Sequence, residues 1–174
     1  SALAGARLED VVHAEVYLTD RDDYSAFNEA WSRHFKQSPP SLSIIPCIDH
    51  GLAPFDGKIE INIIAAKPGS AASKRAIDAG VPTAFANQPQ AVKAGDLLFM
   101  SGLMAIDGNG LVPEAAVDPR QPYFNSTAEA QAECIFGNIA KLCEAAGTSL
   151  SNVARVLLFH TRSEEHTSEL QSRG

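Results

Sequence analysis

The chain has 174 residues and a formal charge of −7, and it is 45% hydrophobic and 20% charged; that balance belongs to a folded globular protein rather than a disordered or fibrous one. An acidic chain without a Lys/Arg stripe is a poor nucleic-acid binder, and no run of 18 apolar residues is present to span a membrane. Three cysteines, Cys47, Cys134 and Cys143, are odd in number and widely spaced without a Cys-x-x-Cys pair, which favours reduced thiols and a cytoplasmic setting over a disulfide framework.

In chain order, the first stretch is one that occurs twice. Residues 4–19, AGARLEDVVHAEVYLT, return at residues 146–161 as AGTSLSNVARVLLFHT, so that an offset of 142 lays Ala4 on Ala146, Gly5 on Gly147, Leu8 on Leu150, Val11 on Val153 and Thr19 on Thr161. Each copy reads as a helix end at Ala-Gly, a short loop and a β-rich run. Repetition at this distance means two copies of one domain, because solenoid repeats run ~20 to 50 residues.

Residues 11–18 alternate with period two and predict a strand. Asp20 to Asp23 offer N-cap oxygens to a helix whose Tyr24, Phe27, Trp31 and Phe35 fall at helical spacing, and Pro39 and Pro40 end it. Residues 42–48 predict a strand that Pro46 restricts to an edge or a bulge. Lys58 to Ala66 is the cleanest strand, with Ile59, Ile61 and Ile63 on one face and Glu60, Asn62 and Ile64 on the other.

Residues 67–81 are small, polar and glycine-bearing, as suits a linker. Beyond them come a turn at Ala94-Gly95-Asp96 with its strand, a hairpin turn at Asp107-Gly108-Asn109-Gly110, and a Ser126/Glu129 capping box opening a long helix. The stripe of that helix (Ala132, Ile135, Ile139, Leu142, Cys143, Ala146) is expected to bury the Ile59/Ile61/Ile63 face, with Cys143 as core packing. From Arg162 the text lacks apolar periodicity and closely resembles a translated sequencing-library adapter, so residues 162–174, with His166 and Glu169, are read as an artefactual tail. Residues 1–161 suffice for one domain, not for two complete ones.

The AVKAGDLLFMSG run, the helix ending EAAGTSL, the strand ending YLTD, the helix YSAFNEAWSRHF, the proline-led strand after it and GKIEINIIAA together resemble the RidA (YjgF-like) reactive intermediate deaminase family. The resemblance implies that residues 1–66 are the C-terminal portion of a first RidA-like domain, 67–81 a linker and 82–161 the N-terminal portion of a second. It implies an α+β, chorismate mutase-like fold, a mixed six-stranded sheet with two helices on one face, here in circularly permuted order. It also implies a homotrimer or pseudo-trimer with pockets between subunits, and hydrolysis of 2-imino acids and enamines, of the 2-iminobutanoate/2-iminopropanoate type, to 2-keto acids and ammonia. No metal or cofactor is implied.

Such chemistry needs a cation for the substrate carboxylate, best met by arginine's planar fork, and a carboxylate to hold the attacking water. Carried over by position, Glu60 matches the water-holding glutamate, Asn28 an asparagine of the short helix, and Ser101 a pocket serine. The pocket tyrosine has no counterpart in Asn87-Gln88-Pro89-Gln90. Where the family places proline, any residue, arginine, this chain reads Pro40-Ser41-Leu42, and a one-residue shift substitutes only Ser41. The clamp position is thus expected at Leu42. His13, His34, His50 and His160 show no ligand spacing within an element; His50 is the one near Glu60 in sequence. The expected partner is a small imine, enamine or other carboxylate, with no nucleic acid and no membrane. Two functions follow: an imine deaminase impaired in this chain by the absent arginine, or a non-catalytic small-metabolite-binding or assembly module using the same pocket. An endoribonuclease is disfavoured by the acidic charge.

Overall fold

A computed structural model describes residues 5–47, 52, 56–67, 74–85, 87–113, 116 and 127–159. The readings placed on His50, Ser126, His160 and the tail lie outside these residues. The elements, in order, are β1 (Val11–Leu18), α1 (Tyr24–His34), β2 (Ser41–Pro46), β3 (Ile59–Ala65), β4 (Arg75–Ile77), β5 (Ala91–Ala94), β6 (Leu97–Met100), β7 (Ile106–Asp107), β8 (Gly110–Leu111) and α2 (Thr127–Ala145). The fold is α+β, with two helices and mixed strand pairing.

β1 is the centre of a three-stranded sheet, parallel to β2 on one side and antiparallel to β3 on the other. Its β-branched, period-two sequence suits that position, since both edges are paired and one face is covered. Ala14, Val16 and Leu18 point to α1 and form a core with Phe27, Trp31 and Leu42. The Asp20 carboxylate accepts the Asp22 N–H at 2.9 Å and starts the turn that leads into α1. A second sheet, β4-β5-β6, is antiparallel throughout, and Gly95, at φ +58°, turns the chain between β5 and β6. α2 covers this sheet: Leu142 and Ala146 bury against Ile77, Val81 and Ala91. β7 and β8 form the hairpin expected at Asp107 to Gly110.

Three of the sequence expectations are corrected. Strand β4 and the buried Ile77 and Val81 lie within the stretch read as a linker, and Lys74 ties that stretch to the first block, residues 1–66, by donating to Val11 O (2.6 Å) and Ser38 O (2.8 Å). α2 does not cover the isoleucine face of β3, because its stripe is used on the second sheet; Ile59, Ile61 and Ile63 remain 43%, 46% and 53% exposed. The strands expected in one sheet meet at a seam rather than in a continuous ladder. At the seam the Leu42 N–H donates to Ser101 Oγ (2.9 Å), while Leu42 O accepts from the Gly102 N–H (3.0 Å). A side chain has taken the place of a ladder partner, so pairing stops after one backbone bond.

The two repeats share their approach and then part. Gly5 and Gly147 have φ of +68° and +77°, a conformation glycine adopts without a Cβ penalty. Each is followed by a 3-10 turn, Leu8–Asp10 and Leu150–Asn152, and then by an extended valine, Val11 at φ −68°, ψ 125° and Val153 at φ −67°, ψ 120°. The first copy becomes β1. Residues 153–159 carry no ladder among the described residues and are exposed.

The seam makes a testable demand. Ser101 is 4% exposed and its hydroxyl also donates to Pro89 O at 2.6 Å, so Ser101→Ala orphans a buried donor and a buried acceptor. The expected loss is about 1–3 kcal/mol, read as a lower urea midpoint with unchanged slope.

Candidate functional site

Alternation along β1 separates two environments. The side opposite α1 carries His13, Glu15 and Tyr17, and the registers set Ser41, Ser43 and Ile45 of β2 and Ile64, Asn62 and Glu60 of β3 beside them. Against this face lies residue 155 of the second repeat. His13, Glu15, Asn62, Ile63, Ile64 and Arg155 line a cleft of about 250 Å³.

His13 Nδ1 lies 2.7 Å from Ser41 Oγ, and the Ser41 hydroxyl donates to Val12 O at 3.1 Å. With the serine proton so committed, Nδ1 carries the imidazole hydrogen and Nε2 is left as an acceptor toward the cleft. The ring stacks on Phe99 at 5.9 Å. Burial holds the His13 pKa below its ordinary value, against the opposing pull of Glu15. Glu15, 12% exposed, is reached by His13 Nε2 and Arg155 Nη2 at 3.7 Å each and by the Tyr17 hydroxyl at 3.5 Å. Burial, and then the Glu15 charge, push the Tyr17 phenol up.

The residues singled out in the sequence are divided by the sheet. Glu60 is exposed on β3 beside the cleft, and its Oε1 accepts from Asn62 Nδ2 at 3.2 Å. Leu42 is on the other side, 2% exposed in the core beneath α1. It is therefore not a pocket-lining clamp position; the β2 residues on Glu60's face are Ser41 and Ser43, and neither is a cation. Asn28 is half-buried on α1, in the layer opposite Glu60. Ser101 is a seam residue with its hydroxyl doubly engaged. The structure thus joins Leu42 to Ser101 through the backbone and gathers neither around Glu60. Sequence reasoning sets His13 aside for want of ligand spacing and does not single out Glu15 or Arg155. The available signals were the polar side of the β1 alternation and the repeat itself, in which Arg155 falls on His13. Among the described residues no group of three His, Cys, Asp or Glu side chains could hold a metal, and no helix is long and apolar enough to cross a membrane.

Residues 2–67 match the family model described as Endoribonuclease L-PSP. This segment is similar to the RidA family. Its similarity extends to a RutC family protein of Saccharolobus solfataricus, 41% identical over 64 residues, which cover 37% of this chain and 48% of the relative. The mitochondrial protein mmf2 of Schizosaccharomyces pombe is 35% identical over 65 residues, 37% of this chain and 52% of that protein. TdcF of Escherichia coli, named as a candidate reactive intermediate deaminase, is 28% identical over 64 residues, 37% and 50% of the two chains. The crystal structure of yeast Mmf1 superposes with a TM-score of 0.32 at 27% identity, over 34% of this chain and 46% of that one. The chain spans about half the length of the curated relatives it matches. In this RidA-like segment β1, α1, β2 and β3 are all formed, with Glu60 on the open side of the sheet.

Two predictions follow from this geometry. Leu42→Arg places a guanidinium among Ala14, Phe27 and Trp31, and the expected cost is more than about 3 kcal/mol of stability, measurable by urea unfolding. His13 has a folded pKa below its unfolded value of 6.5. Its contribution to stability is therefore complete above 6.5 and is lost as pH falls through that value toward the folded one. The urea midpoint should drop between about pH 8 and pH 5.5, and by less in His13→Gln, when both proteins are titrated side by side.

Proposed function

We propose that the RidA-like segment carries the carboxylate half of a hydrolytic imine-deaminase site, acting on 2-imino acids and enamines. Glu60 holds a water and takes its proton as the oxygen adds to the C=N carbon. The same carboxyl returns that proton to nitrogen, giving a carbinolamine; as the C–N bond breaks, the carboxylate relays the hydroxyl proton to the departing nitrogen, so that C=O forms and ammonia leaves a 2-keto acid. The single observation that carries this reading is Glu60 itself, solvent-open on the β3 face within the family-matched segment and aligned by Asn62. The name of TdcF supports the same chemistry.

The substrate carboxylate is the weak point, because β2 offers Ser41 and Ser43 where the chemistry wants a guanidinium, and the guanidinium on this face, Arg155, leans on Glu15 at 3.7 Å. An absent charge-assisted partner typically costs ~2 to 5 kcal/mol, roughly 30-fold to several-thousand-fold in rate if the transition state needs it equally. That absence favours a second reading, a module that binds a small metabolite without turning it over.

Keto-acid and ammonia release from 2-iminobutanoate generated enzymatically in the assay separates the two. The expected result is slow release above the spontaneous rate, reduced by roughly 100-fold or more in Glu60→Gln. Release that survives Glu60→Gln overturns the assignment of Glu60. No release, together with saturable binding of 2-ketobutanoate, selects the binding module.

A further inference from the structure

Glu15 is unusual in its partners. A carboxylate only 12% exposed has three polar neighbours, Tyr17 Oη, His13 Nε2 and Arg155 Nη2, and all stand at 3.5 to 3.7 Å. Charge-assisted hydrogen bonds close to about 2.7–2.9 Å, so this half-buried anion, with Arg155 the one charged group of the three, has no short bond to a described residue. A nearly buried carboxylate held so loosely is costly unless a further donor completes it.

The surrounding atoms define that donor. His13 Nε2 is an acceptor, since Nδ1 carries the hydrogen toward Ser41. Asn62, in the cleft lining, gives one amide N–H to Glu60 Oε1, and its Oδ1 accepts no hydrogen bond from the described residues. Glu15, His13 Nε2 and Asn62 together form an acceptor set suited to the three N–H donors of a primary ammonium. Arg155 differs from these three. It is 65% exposed, one guanidinium nitrogen leans toward Glu15, and the rest of the fork, without a partner among the described residues, suits a carboxylate. Ile63 and Ile64 complete the wall with aliphatic surface.

We propose that this cleft binds a small aliphatic α-amino acid as its zwitterion, the ammonium on Glu15, His13 and Asn62 and the carboxylate on Arg155. A lone anion meets Glu15 and a lone cation meets Arg155, so each is opposed by one half of the pair; a dipolar ion satisfies both. The volume of about 250 Å³ is below the range of roughly 300–1,000 Å³ typical of sites for drug-sized ligands, which restricts the side chain to a few carbons. The depressed His13 pKa keeps the imidazole neutral at neutral pH, as an ammonium acceptor must be. The site needs no chemistry from Glu60 and stands apart from deamination.

Isothermal titration of the full chain with L-2-aminobutanoate, butanoate and propylamine, the last two each lacking one charged group of the first, tests the proposal. Saturable heat is expected for the amino acid, with each half-ligand at least about tenfold weaker. Arg155→Gln should weaken amino-acid binding by at least about tenfold without moving the melting temperature, because its side chain is mostly in solvent, and Arg155→Lys should recover part of it. Glu15→Gln should act in the same direction. Should it unfold the chain, the half-ligands and Arg155→Gln decide. Butanoate binding as tightly as the amino acid makes this an anion site and overturns the proposal, as does equal binding of propylamine or no saturable heat from any of the three. A chain inactive on 2-iminobutanoate leaves these outcomes unchanged, so the two ideas fail separately.

Discussion

Everything in the first block depends on β1 being hydrogen-bonded along both edges. β2 lies parallel on one side and β3 antiparallel on the other, and this double pairing fixes the direction of each side chain along eight residues. One face supplies Ala14, Val16 and Leu18 to the core under α1. The other presents His13, Glu15 and Tyr17 to the cleft. A slip of one residue would exchange the two sets and bury a carboxylate and an imidazole beneath Trp31. The hydrophobic pattern that folds the sheet is therefore also what orients the polar groups.

The same constraint explains the different fates of the repeats. Both copies arrive through a left-handed glycine, a 3-10 turn and an extended valine, so local sequence is enough to reproduce the approach. The central position admits one strand. Val11–Leu18 has it, followed directly by the helix and strands that complete the sheet. The second copy is left alongside and contributes a side chain, Arg155, rather than a strand. Partnership, more than intrinsic propensity, decides which copy is β.

Much of this was legible in the sequence. The period-two runs of β1 and β3, the aromatic spacing of α1 and the turn chemistry at Asp107 to Gly110 are local signals, and each appears where expected. The Lys58 to Ala66 alternation also put Glu60 and Asn62 on one face. The errors are long-range. Which sheet α2 would cover cannot be read from its own stripe, since Leu142 and Ala146 suit either apolar surface. Leu42 was assigned from its distance to a proline, whereas register against β1 decides the face, and register puts Leu42 opposite Ala14. The cleft escaped because its members come from three separate stretches and only the fold makes them neighbours. Ser101 reads as a pocket serine by position, yet its hydroxyl is held between two backbones 12 and 59 residues away in sequence.

The outer edge of β3 has no strand partner among the described residues. It offers Ile59, Ile61, Ile63 and Ile64, all more than 40% exposed, beside a row of open amides and carbonyls, the arrangement that templates edge-to-edge aggregation. Glu60 is the only charge in that strand. A second copy pairing parallel and in register would set these carboxylates side by side, where they repel. The residue proposed to hold the water is thus also the one charge in β3 that opposes edge-to-edge pairing of that strand. Neutralising Glu60 removes that charge whatever it does to rate, so kinetic comparisons of such a variant are meaningful only at concentrations where both proteins remain dispersed.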